Sequence, residues 1–79
     1  MLFSKHIEEQ MKVRSITPDE VELVINSADS VVVEDGLMVY QKVINTGGKA
    51  YLFRVFVNEI KQPPVAVTVY KTSNINKYI

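Results

Sequence analysis

Tyr51-Leu52-Phe53-Arg54-Val55-Phe56-Val57-Asn58 carries large apolar side chains at both odd and even positions, with a single arginine in the middle. It is read together with Val65 to Tyr78, VAVTVYKTSNINKY, where an apolar strand opens into a polar, cationic tail. A strand with bulk on both faces belongs at the centre of a sheet that is covered on one side and partly covered on the other.

Working outward, Pro63-Pro64 closes the loop between these two strands, since neither proline can donate to a ladder. Upstream, Asn45 to Gly48 is a turn, and Leu37 to Ile44 is the strand before it. Asp35-Gly36 suits a two-residue type I′ hairpin, which makes Ser30 to Glu34 a further strand. The strands are therefore expected at Ser30 to Glu34, Leu37 to Ile44, Lys49 to about Asn58 and Val65 to about Lys71. Their short connections imply an antiparallel meander. Gly47-Gly48 before Lys49 joins two strands and so is no phosphate cradle, which must run from a strand into a helix.

Two helices precede the sheet. Ser4 caps a helix of about Lys5 to Arg14, with Phe3, Ile7 and Met11 on one face and His6, Gln10 and Arg14 along its border. Thr17-Pro18-Asp19-Glu20 is a capping box with proline at the first helical position, and Ile16 and Val21 are placed to form a hydrophobic staple. A second helix follows to about Ser27, burying Val21, Val24, Ile25 and Ala28. The expected fold is α+β: two N-terminal helices packed on one face of a four-stranded antiparallel meander.

At 79 residues and 47% apolar content the chain supports one small domain with one core, residues 1 to 79. A domain of this size buries only about 60% of its unfolded surface. The absence of cysteine excludes a disulfide scaffold and a cysteine-based zinc site. One histidine and scattered carboxylates make no metal shell, and no cofactor is implied. Formal net charge is zero, so a nucleic-acid partner would need a local basic patch. The charges are segregated. From Phe3 to Asp35 the acidic residues are Glu8, Glu9, Asp19, Glu20, Glu22, Asp29, Glu34 and Asp35, against Lys5, Lys12 and Arg14. From Gly36 onward only Glu59 opposes Lys42, Lys49, Arg54, Lys61, Lys71 and Lys77. With Lys5, His6 and Glu8 interrupting the N-terminus, and no run approaching about 20 apolar residues, neither a signal peptide nor a membrane partner is expected. The expected location is cytoplasmic.

Ser4-Lys5-His6, Met11, Arg14, Ile16-Thr17, and the terminal Thr68-Val69-Tyr70-Lys71-Thr72-Ser73 with Lys77-Tyr78 carry a resemblance over nearly the whole chain. In these residues the sequence resembles the "domain of unknown function 4258" proteins of bacteria and phages. More distantly it is similar to BrnT-type toxins and, through them, to the RelE/ParE-like fold. The resemblance implies that His6 matches the family's helix histidine, Arg14 its helix-end arginine, and Lys71, Thr72, Ser73, Lys77 and Tyr78 its C-terminal motif. Arg54 takes the central-strand position where such toxins place a basic residue.

Two functions are compatible with these residues. In a metal-independent ribonuclease toxin, His6, Arg54, Lys71 and Tyr78 would converge on one groove beside Gln10 and Arg14. They would supply the base, the phosphate stabilisation and the acid that RNA cleavage needs. Replacing His6 or Arg54 would then lower activity and leave the melting midpoint nearly unchanged. In a protein-interaction or toxin-related module, Leu52 and Phe56 would be partly exposed beside Arg54, and Val65 to Tyr70 would be an edge strand open to a partner strand. A homodimer or an antitoxin would cover them. In bland terms, His6 bonds to sheet backbone or to the tail, Arg54 pairs with a carboxylate across the open sheet face, and Thr72-Ser73 is a cap or turn that aims the tail.

Overall fold

A computed structural model describes residues 1–78. The elements are β1 (Leu2–Phe3), α1 (Lys5–Arg14), α2 (Pro18–Asn26), β2 (Ser30–Glu34), β3 (Leu37–Thr46), β4 (Lys49–Asn58) and β5 (Val65–Thr72), followed by a 3-10 turn at Ile75–Lys77. They form one five-stranded sheet in the order β1-β5-β4-β3-β2. Strands β2 to β5 are the expected antiparallel meander. The four-stranded expectation needs one correction, because Leu2 and Phe3 pair in parallel with Val65 and Ala66 and make the sheet mixed. Two residues leading into a helix carry no readable alternation, so that strand gave no signal in the sequence.

The first two hairpins are closed by two-residue turns. Asp35 and Gly36 have φ of 52° and 77°, and Gly47 and Gly48 have φ of 61° and 79°. Positive φ at both central positions is the type I′ geometry, whose twist matches that of the strands it joins. The second turn is tighter than the expected Asn45 to Gly48, which lets β3 continue to Thr46.

Helix caps form as the sequence requires. Ser4 Oγ accepts from the Ile7 N–H at 3.0 Å. Thr17 Oγ1 accepts from the Glu20 N–H at 3.1 Å, and the Glu20 carboxylate accepts the Thr17 N–H at 2.9 Å. Ile16 and Val21 are both buried beside this box. The helices cover one sheet face. Ile7, Met11, Ile16, Val21 and Val24 pack with Phe53, Val55, Val57, Ala66 and Val69, while Phe3, Ile25, Tyr40, Ile44 and Tyr51 border them. Within β4 the odd residues thus face the helices, and Leu52, Arg54 and Phe56 face the opposite, helix-free side.

Candidate functional site

The helix-free face is organised around Arg54. Hairpin register sets Ser30 beside Gln41, Gln41 beside Arg54, and Arg54 beside Tyr70, a polar row across four strands. The row is hydrogen-bonded throughout. Arg54 Nε donates to Gln41 Oε1 at 2.6 Å, and Gln41 Nε2 donates to Ser30 Oγ at 2.9 Å. Arg54 Nη1 donates to the Tyr70 hydroxyl at 2.7 Å, and Nη2 donates to Glu34. The guanidinium carbon lies 4.5 Å from the Tyr78 ring centroid, 5.4 Å from Phe56 and 5.8 Å from Tyr70.

Arg54 is only 3% exposed. Burial disfavours its charge, yet the bonds to Glu34 and Tyr70 outweigh that and raise its pKa above the ordinary value. Tyr70 is also raised, by burial first and then by the Tyr78 phenol, against the opposing pull of Arg54. With each nitrogen of the fork donating inside the chain and the residue almost wholly buried, the guanidinium is not presented to a phosphate in solution. Arg54 crosses the open face to a carboxylate and holds the sheet together.

Of the expected catalytic group, only Arg54 and Tyr78 come together. Lys71 is a cross-strand partner of Phe53 and so points to the opposite face, where its ammonium lies 5.5 Å from the Tyr51 ring and 5.7 Å from the Phe53 ring. The period-two alternation of a strand enforces this, since Lys71 follows Tyr70 directly. His6 is exposed on the first turn of α1, on the helix-bearing side, and makes no hydrogen bond or ion pair among the described residues. It precedes Arg14 by two helical turns, about 12 Å of axis.

The expected binding residues also divide. Arg14 lies along β5, with Nη1 3.4 Å from the Val69 carbonyl oxygen and its guanidinium carbon 5.8 Å from the Tyr70 ring. Gln10 is half-buried, and its Oε1 has no partner among the described residues. Thr72 Oγ1 accepts the Asn74 N–H at 3.0 Å and starts the turn that brings the tail back, while Ser73 is exposed. Lys77 is exposed, with its ammonium 5.5 Å from the Tyr78 ring. Phe56 is half-buried, 6.0 Å from Tyr70. Leu52, expected as a contact residue, is instead fully buried. It pairs with Thr72, the residue from which the tail leaves the sheet and returns to set Tyr78 over Arg54.

The expectation of an open edge at Val65 to Tyr70 is likewise corrected. β1 pairs with its first residues, Ser4 Oγ donates to the Val67 carbonyl at 3.1 Å, and Arg14 reaches the Val69 carbonyl. The unguarded edge is at the other end of the sheet. Among the described residues β2 pairs only with β3, and its Val31, Val32 and Val33 are 44%, 37% and 67% exposed. Glu34 and Gln41 in the Arg54 network, and the β2 valines, went unread in the sequence. A signal existed, because counting back from two-residue turns places Gln41 opposite Arg54.

Among the described residues no group of three or more His, Asp or Glu could hold a metal ion, and no helix is long and apolar enough to cross a membrane. Compared with known proteins, the chain matches no family model, no curated protein and no solved structure. The resemblance drawn from its terminal motifs therefore rests on those residues alone.

Proposed function

We propose that this chain is a protein-interaction module that works by strand addition at β2. One observation carries the reading: the outer edge of β2 presents three partly exposed valines in a row and has no covering element among the described residues. An edge of this kind offers main-chain donors and acceptors in register, with side-chain contacts on both faces. The ribonuclease alternative has less support, since its base and its second cation lie away from Arg54 and each Arg54 nitrogen already donates within the chain. An antitoxin-like partner, the class that the terminal motifs imply, would contribute an extended segment to this edge.

A lysine-flanked, valine-centred peptide is the direct probe, because Asp35 ends the strand with a negative charge that no ion pair offsets among the described residues. Titrated into the labelled protein, it should shift and protect the Val31 and Val33 amides. Methylating alternate peptide nitrogens should abolish the effect. Shifts confined to the Arg54 face, or none anywhere, would refute the reading. Cleavage of total RNA by the purified protein, lost in His6→Ala, would favour the toxin instead.

A further inference from the structure

The occupant of the β2 edge can be named from its own geometry, given the strand-addition reading. In a two-residue hairpin the residues flanking the turn form a hydrogen-bonded pair, and such pairs then alternate along the strands. Glu34 flanks the turn with Leu37, so Glu34, Val32 and Ser30 direct their main-chain groups toward β3. Val31 and Val33 direct theirs outward.

We infer that β2 pairs with β2 of a second copy, antiparallel about a two-fold axis at Val32, to give a continuous ten-stranded sheet. About that axis Val31 faces Val33 of the other copy and Val33 faces its Val31. The outward groups therefore meet one another and form four main-chain hydrogen bonds with none left over. Val32 meets its own copy in the non-hydrogen-bonded register, where side chains approach most closely. The edge is thus complementary to itself in both hydrogen-bonding pattern and side-chain type, as an isologous contact must be.

Charge at the ends of the strand is the objection to meet. The same register sets Asp29 against Asp35 of the other copy and Ser30 against Glu34. Asp29 is already paired with Lys42 at 3.6 Å and accepts the Val43 N–H at 2.9 Å, and Glu34 is held by Arg54. Only Asp35 enters with its charge uncompensated. The opposite edge sharpens the contrast. There a short strand and the Ser4 and Arg14 side chains guard the backbone, whereas β2 carries no lysine, proline or bulge. Five residues per side bury far less than the roughly 1,200 Å² of a standard interface, so the dimer is weak and reversible.

The test uses the absence of native cysteine. Val32→Cys places one thiol on the axis, where its Cβ would lie about 4.5–5.5 Å from its mate, within reach of a disulfide after small adjustment. Val13→Cys, at the exposed valine of α1, is the collision control. Under mild oxidation Val32→Cys should form dimer at least tenfold faster than Val13→Cys. Sedimentation of the unmodified chain should show reversible dimerisation by about 1 mM, abolished in both Val32→Lys and Val33→Lys, with their melting curves showing the fold intact. Equal cross-linking rates, or a chain monomeric throughout, would overturn self-pairing. If the lysine-flanked peptide still binds β2 in that case, strand addition stands and only the second copy is wrong; if it does not, both readings fall.

Discussion

Arg54 shows how an isolated polar residue in an apolar strand can be structural. Its pair with Glu34 gains little on its own, because the Glu34 side chain is 43% exposed and solvent screens it. The bond to Gln41 matters more, since Gln41 is buried and would lose a partner. Arg54→Met should therefore cost about 2 kcal/mol, roughly 10 °C in melting midpoint, and Glu34→Gln less than about 1 kcal/mol. Thermal melts of the two variants would check the order. An unchanged midpoint for Arg54→Met would return Arg54 to the candidate catalytic residues, for which the sequence reading expected that behaviour. Tyr40 gives a second test at this scale. Its hydrogen bond to Glu59, with burial assisting, pushes its pKa up to about 12. A raised pKa stabilises the protonated form of the fold, so this contribution is whole below pH about 10 and fades as pH rises toward 12. Phenolate absorbance should show one tyrosine titrating near 12 that is lost in Tyr40→Phe. That variant should also lose less stability than wild type between pH 10 and 12.

Elements were legible wherever local chemistry decides them. The Ser4 cap, the Thr17 box and the Asp35-Gly36 turn fix their boundaries within a few residues, so α1, α2 and β2 fall where the sequence places them. β1 was not legible, because two residues hold no period and their pairing depends on a strand more than sixty positions away. The site was legible only by face. Alternation correctly set Leu52, Arg54 and Phe56 together, but the full burial of Leu52 on that face is encoded by no local pattern. Lys71 was a reading error of another kind, since proximity in sequence to Tyr70 puts it on the opposite face. A further element-scale expectation concerns Ser15, which ends α1 at φ 55° in the left-handed region. Glycine takes that conformation without the steric cost borne by a residue with Cβ. Ser15→Gly should stabilise the domain by about 0.5–1 kcal/mol, read as a rise of several degrees in the melt. A fall would mean that the serine side chain makes a contribution larger than this backbone cost.

At the scale of the whole molecule, the two sheet faces are closed by different means. Helices cover one, and the returning tail covers part of the other by setting Tyr78 over Arg54. Tyr78 lies 4.5 Å from the Arg54 guanidinium and 6.4 Å from the Tyr70 ring. A ring over a buried guanidinium contributes about 0.5–2 kcal/mol, and the area that the tail covers adds to that. Removing residues 74–79 should therefore destabilise the domain by about 1–3 kcal/mol, because it strips the Tyr78 ring from Arg54 and Tyr70. Tyr78→Ala should reproduce most of the stability loss, and Lys77→Ala, an exposed neighbour, almost none. Denaturant titration separates these outcomes. Tail removal that left the midpoint unchanged would show that the face closes without it. A loss equal for Tyr78→Ala and Lys77→Ala would show that the tail acts through its length and charge, not through the ring above Arg54.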